Sequence, residues 1–156
     1  MQLDRIDRRL LGLLQADSDR TIRDLAVELG VSAPTCLRRI RRLKQAKLLL
    51  GSVAQVDPVR AGFSVRAIFE IKLNRTGGAA LRRFEAGMRA REQVAQCFEV
   101  AGELDYLVTV IARDMEDLAR FIERALSNDD NILSFRTHIV LRRVVDRRTL
   151  PIPLED

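Results

Sequence analysis

Apolar residues recur every three to four positions along the first third of the chain, a spacing typical of amphipathic helices. The first predicted helix covers residues 3–15. A second is predicted to begin after Thr21, a good N-cap, and to end at Gly30, because glycine readily adopts the left-handed conformation of a helix C-terminus. Ser32 and Pro34 fit the N-cap and first turn of a third helix. Two capped helices separated by a glycine are typical of a helix-turn-helix motif.

The third predicted helix has one apolar side and one basic side. Cys36, Ile40 and Leu43 share the apolar side at 100° per residue. The segment from Leu37 to Lys47 contains six basic residues and no acidic residue. Exposed helix faces usually mix the two signs, because like charges three or four positions apart repel. An anionic partner such as DNA would relieve this repulsion; a basic helix that only improves solubility is the alternative.

We predict that the start of this helix contacts DNA, as is usual for a helix-turn-helix. Its first residues are predicted to reach base edges, with Arg38 best suited to a bidentate guanine contact. The arginines further along are predicted to hold phosphates and to set the register on the duplex. The predicted base contacts are Ser32, Thr35 and Arg38, the predicted phosphate contacts are Arg39, Arg41 and Arg42, and Pro34 completes the DNA-binding set.

The charge distribution supports this interpretation. The chain has 156 residues and a formal net charge of +5. Residues 1–50 contain 11 Lys/Arg and 6 Asp/Glu, whereas residues 51–156 contain 16 of each, so the whole excess lies in the first third. This asymmetry predicts a nucleic-acid-binding module joined to a neutral one.

The composition argues against several other classes of protein. The chain has no apolar run near the ~18 residues of a membrane helix, and charged residues interrupt its N-terminal leucines, unlike a secretory signal. Cys36 and Cys97 are far apart and His138 is the only histidine, so no metal site is expected. We expect a cytoplasmic protein with reduced thiols, no cofactor and no catalytic residues.

After a predicted hinge strand at residues 51–58, closed by a turn at Asp57 and Pro58, the apolar period changes to two. The order βαββαβ then predicts a ferredoxin-like antiparallel sheet with both helices on one face. The whole chain is therefore predicted to have an α+β fold. The predicted elements are strands at 65–73, 94–100, 106–112 and 133–145, one helix carrying Leu81, Phe84 and Met88, and another running from Met115 to Ala125.

The second face of this sheet is predicted to be covered by another subunit, because apolar residues are expected on both sides of its central strands. We therefore expect a homodimer formed through this domain. The residues on which this expectation rests are Leu107, Thr109, Ile111, Ile139 and Leu141.

These patterns predict four segments. Residues 1–50 form a winged-helix-like helix-turn-helix domain, and residues 51–63 a hinge strand and linker. Residues 64–148 form the ferredoxin-like domain, which is expected to mediate oligomerisation and to which the resemblance described next adds ligand sensing, and residues 149–156 form a C-terminal tail.

Short sequence stretches in a specific order and spacing resemble the Lrp/AsnC family of feast/famine transcription regulators along nearly the whole chain. They are LDRID at 3–7, LQAD at 14–17, LA at 25–26, GVS at 30–32, RRIRRL at 38–43, DP at 57–58, GELDYL at 102–107, DM at 114–115, THIVL at 137–141 and LP at 150–151. The resemblance implies a homodimer that pairs or swaps hinge strands and C-terminal sheets, often as an octamer of four dimers.

The resemblance also implies that an amino acid or similar metabolite binds between C-terminal domains of adjacent dimers. Gly102, Asp105 and Tyr106 would line this effector site, with Thr137 nearby. From the residues alone, a tight hairpin followed by a packed tyrosine is the alternative. Two residues flanking the inferred site depart from those common in the family, which leaves the effector's identity open; they are Asn131 and Phe135.

The predicted function is a sequence-specific DNA-binding transcriptional regulator whose assembly or operator affinity responds to an amino acid or related metabolite. An architectural DNA-binding protein without an effector is the alternative. Some haem-biosynthetic decarboxylases also look like this family. Because His138 has no nucleophile–base pair or metal cluster beside it in the sequence, we do not expect an enzyme.

Overall fold

The computed structural model describes residues 2–147 and 149–153, which divide into two compact units. The first unit combines the chain up to Gln55 with the segment from Val145 onward, and the second unit spans Val56–Val144. The DNA-binding unit predicted from the sequence is therefore joined to the second unit by two chain segments, one after Gln55 and one before Val145.

The first unit contains the three predicted helices, α1 (Arg5–Ala16), α2 (Ile22–Leu29) and α3 (Ala33–Gln45). Its described residues form no β-hairpin, so the winged-helix resemblance does not extend to a wing. The helices enclose a core whose fully or nearly fully buried members are Leu10, Leu11, Leu25, Ala26, Leu29, Cys36, Ile40 and Leu43.

The predicted caps of α2 and α3 are confirmed. The Thr21 hydroxyl accepts a hydrogen bond from the Asp24 N–H at 3.2 Å, and the Ser32 hydroxyl accepts one from the Thr35 N–H at 3.4 Å. Gly30 ends α2 in the left-handed conformation, with φ of 67°. These local interactions satisfy backbone groups that the helix ends leave open, which explains why the sequence located both helices.

The C-terminal tail packs on α1 within the first unit. The Gln15 side-chain amide donates to the Leu150 carbonyl at 3.2 Å, and its carbonyl accepts from the Leu150 N–H at 2.6 Å. Arg8 Nη1 donates to the Pro153 carbonyl at 3.5 Å, and Ile152 lies against the apolar core. The tail thus completes the helical unit.

The second unit is the predicted ferredoxin-like fold, with an antiparallel sheet in the order β2-β3-β1-β4. Its elements are β1 (Val65–Leu73), α4 (Gly78–Arg89), β2 (Val94–Glu99), β3 (Tyr106–Ala112), α5 (Met115–Ile122), a π-helical turn (Glu123–Ser127) and β4 (Ile132–Ile139). Alternate residues of the two central strands are buried on the helix side of the sheet; they are Ala67, Phe69, Ile71, Leu73, Tyr106, Val108, Val110 and Ala112.

The opposite, open face has an apolar half and a charged half. Its apolar half, on β2, β3 and β1, comprises Phe98, Leu107, Thr109, Ile111 and Ile68. Ile139 was predicted to belong to this face, but it pairs with Ala67 and so lies on the helix side. Leu141 was also predicted there, but it follows the end of β4.

Two predicted strand segments are not strands. Residues 51–57 have no regular structure, although the turn at 58–62 that follows is present. The last strand was predicted to continue to Val145 and ends at Ile139. Its neighbour β1 begins at Val65, and Val140 makes the final hydrogen bond to that strand through the Arg66 carbonyl. Residues 141–145 have no partner strand in the described part of the chain, and an apolar pattern alone does not form a strand without one.

Among the described residues, no helix combines the length and the apolar character needed to cross a bilayer.

We expect Gln15→Ala to loosen the tail, because it removes both hydrogen bonds to Leu150. Hydrogen exchange of the Leu150 amide, followed by NMR on the full chain, should accelerate about tenfold, corresponding to about 1.4 kcal/mol. Gln55→Ala is the control, since Gln55 is exposed in the same unit and no side-chain hydrogen bond is seen for it among the described residues. Equal exchange in the two variants would contradict a stabilising role for Gln15.

Candidate DNA interface and effector region

The exposed start of α3 carries three of the predicted DNA-binding residues. Ser32 and Pro34 are exposed and Thr35 is partly buried. The Ser32 hydroxyl donates to Thr35 Oγ1 at 2.9 Å in addition to capping the helix. This hydroxyl pair is thus already oriented by the protein at the end of the helix that carries the positive dipole charge.

Arg38 and Arg41 are the cations of α3 best placed to reach an external anion. Both side chains are exposed, and neither makes a hydrogen bond or ion pair among residues 2–147 and 149–153. Their spacing of three positions places them on one side of the helix. Nothing in the described protein offsets their charge there.

Arg39 and Arg42 face α1 instead and make ion pairs with it. Arg39 Nη1 lies 2.6 Å from Asp4 Oδ2 and 2.8 Å from Asp7 Oδ1, and Arg42 Nη2 binds Asp7 Oδ2. Both arginines were predicted from the sequence to hold DNA phosphates. Part of the negative charge that the basic helix requires is therefore supplied by the chain itself.

The pKa values of Arg39 and Asp4 shift in the directions expected of an ion pair. The hydrogen bonds that the Arg39 guanidinium donates to the carboxylates of Asp4 and Asp7 raise the pKa of Arg39. Burial alone would raise the pKa of Asp4, but the Asp7 N–H and the Arg39 guanidinium outweigh it, so this pKa is lowered. Both charged forms are stabilised near neutral pH.

The predicted effector residues begin in the hairpin between β2 and β3. Gly102 has φ of 141°, a conformation that side-chain-bearing residues rarely adopt, so glycine is required in this turn. Asp105 Oδ2 accepts a hydrogen bond from the Leu73 N–H at 2.7 Å, and the Asp105 N–H donates to the Ile71 carbonyl at 2.9 Å. These two hydrogen bonds connect the hairpin to the end of β1.

Tyr106 lies in the core beneath the hairpin. Its ring packs against Phe84 with a centroid distance of 4.7 Å, and its hydroxyl donates to Glu85 Oε1 at 3.2 Å. Burial and the Glu85 carboxylate raise the pKa of Tyr106 to about 12. Tyr106 touches a cavity of about 330 Å³ between α4 and β2, whose lining does not include Gly102, Asp105 or Thr137.

Thr137 lies on β4, which two strands, β3 and β1, separate from β2, and it pairs with Phe69. The four predicted effector residues therefore do not form one cluster within a single chain. The hairpin does border a larger cavity of about 500 Å³, which lies beside Glu103 and Leu104. Its charged and polar lining consists of Glu70, Lys72, Glu103, Ser134 and Arg136.

The two residues that depart from the family pattern have structural roles. The Asn131 side chain accepts from the Arg75 N–H at 3.0 Å and donates to the Arg75 carbonyl at 3.2 Å, which joins two loops. Phe135 packs edge-on against Phe69 with a centroid distance of 6.3 Å. Phe135 also lines the 500 Å³ cavity, so it is both a core residue and part of that wall.

The charged half of the open face contains the single histidine. His138 Nε2 lies 3.1 Å from Glu70 Oε1, and Arg136 Nη1 lies 3.1 Å from Glu70 Oε2. Within the part of the chain that the structure describes, no three His, Cys, Asp or Glu side chains form a metal-binding group. His138 is thus a hydrogen-bond partner of Glu70 on the sheet surface.

Two family models match the chain and together cover both units. The AsnC-type helix-turn-helix domain matches residues 3–44, and the Lrp/AsnC ligand binding domain matches residues 66–150.

Similar proteins match over nearly the full length. The HTH-type transcriptional regulator AldR of Mycobacterium tuberculosis is 31% identical over 143 residues, covering 92% of this chain and 80% of that protein. The leucine-responsive regulatory protein of Rhizobium meliloti is 32% identical over 146 residues, covering 94% of each. The solved structure of a Neisseria meningitidis transcriptional regulator in complex with L-Met has a TM-score of 0.91 at 26% identity, covering 96% of this chain and 97% of that one.

These relatives are transcriptional regulators rather than enzymes. With both family models matched in order and the helix-turn-helix and ferredoxin-like units in place, the chain belongs to the Lrp/AsnC family of DNA-binding transcriptional regulators.

Proposed function

We propose that this regulator reads its operator in double-stranded DNA with the first two turns of α3. Ser32, Thr35 and Arg38 contact base edges beside Pro34, and Arg41 holds a phosphate. The observation that carries the proposal is the exposure of Arg38 and Arg41 without a partner in the described protein, on a helix whose other two central arginines are paired. This proposal includes a cytoplasmic location, because a regulator that binds an operator must share a compartment with the DNA.

We propose an amino acid or related metabolite as the effector, bound beside the Gly102–Asp105 hairpin. The relative from Neisseria meningitidis, whose structure contains L-Met, supports this chemistry. Arg136 and Lys72 offer positive charge for the carboxylate, and Glu103 offers negative charge for the ammonium group. Asp105 and Tyr106 hold the hairpin in position, and Thr137 adjoins Arg136 on β4.

We propose that a second copy of the chain covers the open face of the sheet. Phe98 is 53% exposed there, and it continues an apolar strip formed by Leu107, Thr109, Ile111 and Ile68. Pairing of two such faces removes this strip from water and forms the homodimer. Four dimers can then form an octamer with the effector between them, as the family resemblance implies.

The base contacts can be tested with a duplex selected from a random pool by the full-length chain. Arg38→Ala should weaken binding to this duplex by roughly 1–3 kcal/mol and relax the preference at one base position. Arg41→Ala should weaken binding to selected and random duplexes alike and reduce the salt slope by about 1. Arg83→Ala on α4 is the control for loss of a positive charge. Equal losses on both duplexes in both variants would contradict the assigned roles.

The effector is identified by thermal unfolding with each of the twenty amino acids and several keto acids. A ligand at about a hundred times its dissociation constant adds roughly 2.7 kcal/mol to the folded state, which raises the midpoint by several degrees. Glu103→Gln should reduce this shift, whereas Glu123→Gln, an exposed acidic position on the π-helical turn, should leave it unchanged. DNA binding that no metabolite alters, with no thermal shift, would favour the architectural alternative.

The dimer interface is tested by sedimentation equilibrium without DNA. Leu107→Glu places a charge in the apolar strip, so we expect the dimer dissociation constant to rise at least about tenfold, equivalent to 1.4 kcal/mol. Met115→Glu is the matched control, because Met115 is exposed at the start of α5, where an acidic residue is tolerated. Unchanged dimerisation by the Leu107 variant would place the interface elsewhere.

A further inference from the structure

The four central arginines of α3 divide into two pairs that face different surroundings. Arg38 and Arg41 face outward, and Arg39 and Arg42, also three positions apart, face the start of α1. The Arg39 side chain is only 18% exposed, and its Nε is buried without a hydrogen-bond partner in the described residues. That N–H is therefore not available to a phosphate on the surface.

The carboxylates that hold this inner pair differ in burial. The Asp7 side chain is fully buried and receives both arginines, whereas the Asp4 side chain is 51% exposed and receives Arg39 alone. If both arginines turned to DNA, the Asp7 carboxylate would remain buried without a cationic partner, which is strongly unfavourable. A phosphate at the exposed edge is screened by water and salt and does not compensate for that loss.

We infer that Asp4 and Asp7 are positioning residues for DNA specificity, which withhold Arg39 and Arg42 from the phosphate backbone. Contacts to phosphates carry no sequence information and supply essentially all of the affinity for random DNA, whereas on the operator the base contacts of Arg38 fix the register of the protein. Arg39 and Arg42, the latter with 48% of its side chain exposed, are neutralised by carboxylates of the protein itself. A freed arginine would gain a phosphate contact most readily on random DNA, where no base contact fixes the register, so the acidic pair lowers affinity for random DNA more than affinity for the operator.

Asp4→Asn tests this inference in the full-length chain. Asparagine caps a helix as well as aspartate does, so the variant keeps the start of α1 while removing one charge that binds Arg39. We expect the salt slope on a random duplex to steepen by about 0.5–1 and the affinity for that duplex to rise roughly threefold at 0.1 M salt. The ratio of affinities for the selected and random duplexes should fall.

Asp19→Asn is the matched control, because it removes the same charge from an exposed position of the same unit that is not seen to contact α3. A change of helical packing alone would not steepen the salt slope, which counts the phosphates neutralised on binding. If Asp4→Asn and Asp19→Asn give the same slope and the same affinity ratio, the inference is wrong.

Arginine variants provide a second measurement that does not depend on how Asp4→Asn folds. Arg39→Gln should flatten the salt slope much less than Arg41→Gln, because only Arg41 is expected to hold a phosphate. Equal flattening would overturn the inference. A wild-type chain that binds neither duplex would overturn the proposed base contacts as well, whereas normal wild-type binding with equal slopes in the variants would overturn this inference alone.

Discussion

The helical unit depends on one buried carboxylate, that of Asp7. A carboxylate removed from water must be paired, and Asp7 is paired by the guanidinium groups of Arg39 and Arg42 and by the Asp4 N–H. These contacts connect the first turn of α1 with the middle of α3. The orientation of α3, the helix proposed to read DNA, is thus set by ion pairs on one side and by the apolar core beneath it. The same contacts decide which arginines remain at the surface.

In the second unit the sheet separates a closed face from an open one. Both helices cover the closed face, where Tyr106 and Phe69 are among the largest buried side chains. The hairpin at one end of the sheet is held to the central strand β1 by Asp105. A molecule that contacts the hairpin therefore acts on a segment hydrogen-bonded directly to the middle of the sheet, not on an independent loop.

The sequence predicted those features that neighbouring residues determine. Thr21, Gly30 and Ser32 act through hydrogen bonds or backbone conformations within a few residues, so the helix boundaries could be inferred. Strand β1 showed its alternation in the sequence because helices cover one face only, whereas β3 carries apolar residues on both sides. The predicted end of β4 was wrong, because the length of a strand depends on where its partner strand stops.

Contacts between residues far apart in sequence gave weaker signals. The pairing of Arg39 with Asp7 spans 32 positions, and Arg39 was predicted from the sequence to hold a DNA phosphate instead. The acidic residues at the start of α1 were a usable signal, because two carboxylates beside a basic helix are candidates for its counterions. Tyr106 is buried on the helix side of β3, as in the packed alternative considered from the residues, whereas the family resemblance implied a place in the effector site.

Because the tail packs on α1, the helix-turn-helix unit consists of two segments that are far apart in the sequence. A single cut after Gln55 separates the three helices from Leu150 and Ile152, which belong to the same packed unit. Recombination that exchanges N-terminal segments between related regulators would therefore combine the helices of one protein with the tail of another. That tail would not be matched to the surface of the new α1. Gln15 and the residues opposite it are consequently expected to be inherited together.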